Sequence, residues 1–140
     1  MNEPDLARSL LRSARTIAVV GYSIRPDRPS NSVSAYLRRQ GYRIIPVNPQ
    51  LSGATIAGEP AYDRLVDIPA TEQVDLVDVF RRGEFLDAIV DDALASGMPA
   101  LWFQLALGNA DAARRAESMG IRVVWDRCTA IEHRRLIEEG

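Results

Sequence analysis

Five short apolar runs, rich in β-branched residues, recur along the chain: I-A-V-V-G (17–21), Y-R-I-I-P-V-N (42–48), V-D-L-V-D-V-F (74–80), A-L-W-F-Q-L (100–105) and I-R-V-V-W-D (121–126). Each is too short for an independent helix and nearly continuous in apolar character. That is the pattern of a strand covered on both faces. The stretches between them have helical spacing. Val33, Tyr36 and Leu37 share one face before Gly41; Phe85, Leu86, Ile89, Val90 and Ala93 do so before Gly97; and 109–120 closes at Gly120. Leu6, Leu10 and Leu11 predict a short leading helix over 4–14. Residues 54–62 predict a short strand at the sheet edge, and 64–69 a turn or short helix. Strands alternating with helices require crossover connections, and right-handed crossovers build a doubly wound parallel sheet. The expected fold is therefore a single α/β domain of the Rossmann-like type spanning 1–140.

Such a sheet binds its ligand beyond the carboxyl ends of the strands, near the switch in strand order. The first of these ends reads G-Y-S-I-R-P-D-R-P-S (21–30). Gly21 permits a sharp turn and a close backbone approach. Tyr22 follows it. Ser23 and Ser30 offer hydroxyl donors, and Arg25 and Arg28 offer charge-assisted bonds to phosphate. The next helix presents free N–H groups and the positive end of its dipole. This set suits a polyphosphate ligand.

The second strand narrows the choice. A NAD site usually has an acid there for the ribose hydroxyls. This strand ends P-V-N-P, with Asn48 and Pro49. The G-x-G-x-x-G pattern is also missing, because Ser23 and Pro26 stand where its second and third glycines would. No G-x-x-x-x-G-K-[ST] loop is present either. An NAD(P)-linked oxidoreductase or redox-sensing protein stays open as the alternative reading.

Taken together, G-Y-S-x-R-P-x-R-x-S-N-S-V, P-V-N-P, V-D-V-F-R-R, W-F-Q-L and D-R-C-x-x-x-E-H-R-R-L resemble the small, single-domain CoA-binding proteins, from about Thr16 to Leu136. Wider relatives of that family are the CoA-binding domains of succinyl-CoA synthetase α chains and ADP-forming acyl-CoA synthetases. The resemblance implies that the loop from Gly21 to Ser30 holds the CoA phosphates through Ser23, Arg28 and Ser30. It implies that Asn48 and Pro49 border the adenosine, that Phe80, Arg81 and Arg82 lie over the crevice, and that Gln104 lies near the pantetheine arm or adenosine. Many relatives carry a Lys after the N-P pair, where this chain has Gln50. CoA carries a pyrophosphate and a 3′-phosphate, roughly four negative charges when fully ionised. Arg25, Arg28, Arg81 and Arg82 would match them, and arginine suits multidentate phosphate contacts. An arginine pair at a helix start opposes the dipole, which favours a functional reason for Arg81 and Arg82.

Other classes find less support. The 17 basic and 19 acidic residues leave a net charge of −2, with no basic excess to draw nucleic acid. One cysteine, Cys128, and one histidine, His133, supply metal chemistry poorly. No apolar run approaches the roughly 20 residues of a membrane span, and the N-terminus lacks the pattern of a secretory signal. A soluble, cytoplasmic protein is expected, with a protein partner or a homo-oligomer left open.

No Ser/His/Asp or Cys/His set is evident, so no catalytic residue is assigned and the chain reads as a binding or regulatory protein. Cys128 is expected to be a half-buried small hydrophobe, and His133 an ordinary helix residue. Thr129 and Glu132 match a capping box. Asp75 is expected at a strand entry. Asp78, in an apolar strand, is expected to hydrogen-bond buried backbone. Trp102 and Trp125 are expected in the core or an interface.

Overall fold

A computed structural model describes residues 3–139. Helix α1 (Glu3–Ser13) leads into β1 (Thr16–Val20). Then come α2 (Pro29–Arg39), β2 (Arg43–Val47), the two-residue strands β3 (Thr55–Ile56) and β4 (Glu59–Pro60), and β5 (Leu76–Val79). Helix α3 (Leu86–Ala95), β6 (Ala100–Phe103), α4 (Ala110–Ser118), β7 (Arg122–Trp125) and α5 (Thr129–His133) complete the order, and a wider helical turn continues α5 over Arg134–Glu138. Every apolar run singled out in the sequence contains a strand.

The main sheet has five parallel strands in the order β2-β1-β5-β6-β7. Strand β1 is joined on one side by the strand that follows it and on the other by β5. The winding therefore reverses between β1 and β5, and a crevice opens there at the carboxyl ends.

Side chains of successive residues point to opposite faces, and the core splits accordingly. One face gathers Ala18, Val20, Ile45, Val77, Val79, Leu101, Phe103 and Val123 against Leu86, Ile89, Val90 and Ala93 of α3 and Ala112, Ala113 and Ala116 of α4. The other gathers Ile17, Val19, Ile44, Leu76, Trp102 and Val124 against α1, α2 and Leu136. Covering both faces is what permits such uniformly apolar strands. Trp102 is fully buried and donates its indole N–H to the Arg127 carbonyl at 2.8 Å. Trp125 packs half-buried against the first face.

Two local expectations are corrected. Residues 54–62 do not lay a strand along the sheet edge. They fold into a separate antiparallel hairpin, β3 with β4. Its turn residues Ala57 and Gly58 both have positive φ, 50° and 84°, as a two-residue hairpin turn requires. Only Tyr62 bridges to the edge strand, at Val47. The edge of β2 carries Pro46, which has no N–H to offer a neighbouring strand.

The capping box at Thr129 is also absent. Cys128 occupies the cap position with no side-chain bond. The Thr129 hydroxyl instead donates to a carboxylate oxygen of Asp78 at 2.9 Å. Glu132 turns to Arg127 at 3.0 Å and Arg135 at 2.7 Å. A buried carboxyl group is a stronger claimant for that hydroxyl than an open helix end. Asp75 does sit at a strand entry, where one carboxylate oxygen accepts from the N–H groups of Arg15 and Thr16.

Candidate functional site

The site starts at the turn after β1. Gly21 has φ of +85° and donates its N–H to the Val47 carbonyl at 2.9 Å. A Cβ there would stand 2.9 Å from Cδ of Arg81 and 3.1 Å from the Phe80 carbonyl. Both conformation and space therefore demand glycine. Its lack of a side chain lets the first and third loops of the site close on each other.

The loop beyond is held by its own polar groups. Ser30 Oγ accepts from the Ser23 N–H at 3.0 Å, and Asn31 donates to the Ser23 carbonyl at 3.0 Å. Ser23 Oγ accepts from the Arg25 N–H at 3.2 Å. Asn48 donates to the Tyr22 carbonyl at 2.8 Å and accepts from the Gln50 N–H at 2.9 Å. These residues set the loop's shape before any ligand arrives, and the serine hydroxyls still have a proton to donate. Arg28 stands in extended conformation just before α2 with no side-chain cap, and Pro29 opens the helix. The helix N-terminus therefore faces the crevice uncapped.

The crevice has a volume of about 610 Å³. It brings together Gly21, Ser23, Arg25, Arg28, Ser30, Asn48, Phe80, Arg81 and Arg82, all singled out from the sequence. Four of its lining residues are arginines and none is a carboxylate. Arg25 pairs with Asp27 at 3.0 Å, where both are exposed, so that pair restrains it little. Arg81 lies over the Phe85 ring, its guanidinium carbon 3.7 Å from the ring centroid. A smaller, mainly apolar hollow of about 260 Å³ adjoins, walled by Val20, Val47, Pro49, Leu65 and Ile89, and Arg81 borders both spaces.

The sequence profile of the CoA-binding domain matches residues 15–134. The chain belongs to the CoA-binding domain family. Several proteins are similar to this chain over most of their length. A Thermus thermophilus protein is 40% identical with a TM-score of 0.89, over 98% of this chain and 100% of the other. A Pyrococcus horikoshii hypothetical protein is 33% identical with a TM-score of 0.87, over 96% and 92%. An uncharacterized Bacillus subtilis protein, YneT, is 37% identical over 95% of this chain and 97% of its own length. The fold also recurs in a dinucleotide forming acetyl-coenzyme A synthetase from Candidatus Korarchaeum cryptofilum, with 24% identity and a TM-score of 0.68. There the match spans 82% of this chain but 27% of the larger one.

Two of the residues singled out, Tyr22 and Gln104, do not line the crevice. Tyr22 offers only its backbone to the loop. Its ring is buried on the far face, where its hydroxyl accepts from Arg38 at 3.2 Å. Gln104 does not line the crevice. It is buried, donating to Asp78 at 2.5 Å and to Thr129 at 2.9 Å. Parity explains Gln104, which continues the alternation of β6 and points to the face of Trp102. Tyr22 breaks the alternation of β1, which would place it with Ala18 and Val20; the left-handed turn at Gly21 swings it to the face of Ile17 and Val19 instead.

Asp78 thus bonds side chains rather than backbone. Burial pushes its carboxyl group up to about 7, against the opposing pull of the Gln104 and Thr129 hydrogen bonds. The network ties the carboxyl ends of β5 and β6 to the start of α5. Cys128 is half-buried, and burial raises its thiol pKa.

Gln50 and Leu107 line the crevice as well. Leu107 had no signal in the sequence. It reaches the site because Ala106 takes φ of 66° and donates its N–H to Asp126 at 2.9 Å, turning the loop after β6 inward. Gly108 completes that turn, for a Cβ there would stand 2.4 Å from Cβ of Phe103.

Proposed function

We propose that this protein binds CoA or an acyl-CoA in the arginine-lined crevice, as a binding or regulatory protein rather than a catalyst. The observation that carries the reading is the crevice at the strand switch, with four arginines and no carboxylate in its lining. In this reading the pyrophosphate sits at the start of α2, with Ser23, Ser30 and Arg28 around it. Free N–H groups, a helix dipole and a guanidinium all favour an anion there. Arg81 and Arg82 take the 3′-phosphate. The adenosine lies along Asn48 and Pro49, toward the apolar hollow that Arg81 borders. Membership of the CoA-binding domain family supports the choice of ligand, and so does the shared fold of a protein named as an acetyl-coenzyme A synthetase.

The test is calorimetric titration with CoA, acetyl-CoA, NAD and ATP under one buffer. Heat of binding is expected for CoA or acetyl-CoA, with NAD weaker. Binding of NAD without CoA would overturn the reading. The double variant Arg28→Ala, Ser30→Ala is expected to weaken CoA by about tenfold or more, given roughly 1.5–3 kcal/mol for a hydrogen bond to a charged group. Unchanged affinity would move the phosphates elsewhere.

A further inference from the structure

A second recess lies far from the crevice, at the amino end of the sheet. It has a volume of about 400 Å³ and sits between the end of α1, the turn into β2, and α5. Its charged and polar lining comes from Arg12, Arg15, Gln40, Tyr42 and His133, with Leu11, Ala14 and Ile137 supplying an apolar side. No carboxylate lines it.

His133, the chain's only histidine, is 5% exposed. Its Nδ1 lies 2.9 Å from the Tyr36 hydroxyl. Tyr36 and Tyr42 stand edge-on to the ring, at centroid distances of 5.5 and 5.7 Å. The other nitrogen, Nε2, has no hydrogen-bond partner among the described residues. The tautomer in which the phenol donates to Nδ1 leaves the proton on Nε2, as a donor. That nitrogen is not among the sealed, unpartnered atoms of the described residues, so its N–H opens into the recess, where an acceptor can meet it.

Arg12 and Arg15 have an ordinary use at a helix end, since cations favour the last turn. Arg15 does reach the Arg12 and Ala14 carbonyls, but at 3.5 and 3.4 Å. Those contacts are long and leave most of its five donors unused. Neither guanidinium meets a carboxylate among the described residues. Two formal positive charges outweigh the roughly half negative charge of the helix end.

We infer that this recess is a binding site for a small organic carboxylate, its oxyanion held by Arg12, Arg15 and the Nε2–H of His133 and its short chain against Leu11, Ala14 and Ile137. The site is independent of the CoA reading. Burial lowers the pKa of His133, while Glu138 opposes that shift. Among the groups around the ring, burial raises the pKa of Tyr36 and holds Tyr42 up at about 12, so both phenols stay neutral. Arg134 lies 5.1 Å above the Tyr36 ring. A bound carboxylate would favour the charged imidazole and raise the pKa of His133.

Because there is one histidine, a ¹⁵N-labelled sample gives one imidazole spin system without assignment. Titrating the full chain with butyrate at ionic strength fixed by chloride is expected to shift the His133 nitrogen signals saturably and move their titration upward. The double variant Arg12→Ala, Arg15→Ala, in exposed positions, is expected to weaken butyrate by about tenfold or more while its melting temperature shows an intact fold. Arg28→Ala, in the crevice, is expected to leave the shift in place. No shift, an equal shift in the Arg12/Arg15 variant, or the same shift with chloride alone would overturn the assignment. Inorganic phosphate matching butyrate would overturn the role of the apolar side.

Discussion

The crevice at the strand switch and the hollow at the amino ends of β5 and β6 arrange their charges in opposite ways. At the carboxyl end, Arg28, Arg81 and Arg82 face a crevice that no carboxylate lines. At the amino end of β5 and β6, a hollow of about 690 Å³ is lined by Asp67 and Glu72 and by no cation. An arginine that reaches its lining, Arg43, is already engaged. It grips Glu59 through two nitrogens at 2.8 Å each and Glu72 at 2.6 Å. The Arg43 guanidinium also lowers the pKa of the Glu72 carboxyl group. Size therefore does not mark the phosphate site. Uncommitted charge at the strand switch does, because a paired guanidinium has spent the donors that a phosphate would need.

The sharpest way to break this contrast is to strip the crevice. Arg81→Ala with Arg82→Ala is expected to weaken CoA by about a hundredfold, from roughly 1.5–3 kcal/mol per charged hydrogen bond. The matched change at the other end, Glu72→Gln, is expected to leave CoA affinity within about twofold, since it meets no crevice residue. Equal losses in the two, measured by calorimetry, would erase the distinction between crevice and hollow.

Gly21→Ala should come next. A left-handed conformation costs an L-residue about 1–2 kcal/mol, and the new Cβ would press on Arg81 and the Phe80 carbonyl. A lower melting temperature and about tenfold weaker CoA binding are expected. Normal binding with a normal melt would show that the close approach of the two loops is dispensable.

The smallest effect concerns the buried carboxyl group in β5. Asp78 has a folded-state pKa raised to about 7, against about 3.9 when unfolded. Between those values the native state holds a proton that the unfolded state has released, so stability falls as pH rises from about 4 to about 7. Asp78→Asn cannot titrate and is expected to flatten that slope. Its destabilisation relative to the parent should be greater at pH 5 than at pH 8. Denaturant melts across the range would show it, and parallel pH profiles would rule out Asp78 as the source.

The strands and their alternation with helices were legible because burial on both faces leaves continuous apolar runs, and such runs are visible in one dimension. Gly21, Ser23, Arg25, Arg28, Ser30 and Asn48 were legible for a related reason. They follow strands directly, and the fold fixes where strand ends go. Tyr22 and Gln104 were also near strand ends, but Gln104 keeps the inward parity of its strand, and the left-handed turn at Gly21 reverses the face that Tyr22 takes, which an apolar pattern does not announce. Leu107 was hidden because its route to the crevice depends on a positive φ at an alanine, which ordinary turn chemistry does not announce. The A-G turn of the small hairpin was obscured in the same way, since an asparagine or aspartate is the usual signal there.

The sequence by itself determined the class of fold, the alternating layers and the stock of arginines and serines at the strand ends, because hydrophobic periodicity and local turn chemistry act over a few residues. Only the tertiary structure decided which arginines are free and which are paired, that Asp78 is satisfied by Gln104 and Thr129, and that His133 meets Tyr36 across 97 positions of the chain. Charge pairing and burial depend on what long-range packing brings within a few ångströms, and no local pattern encodes that.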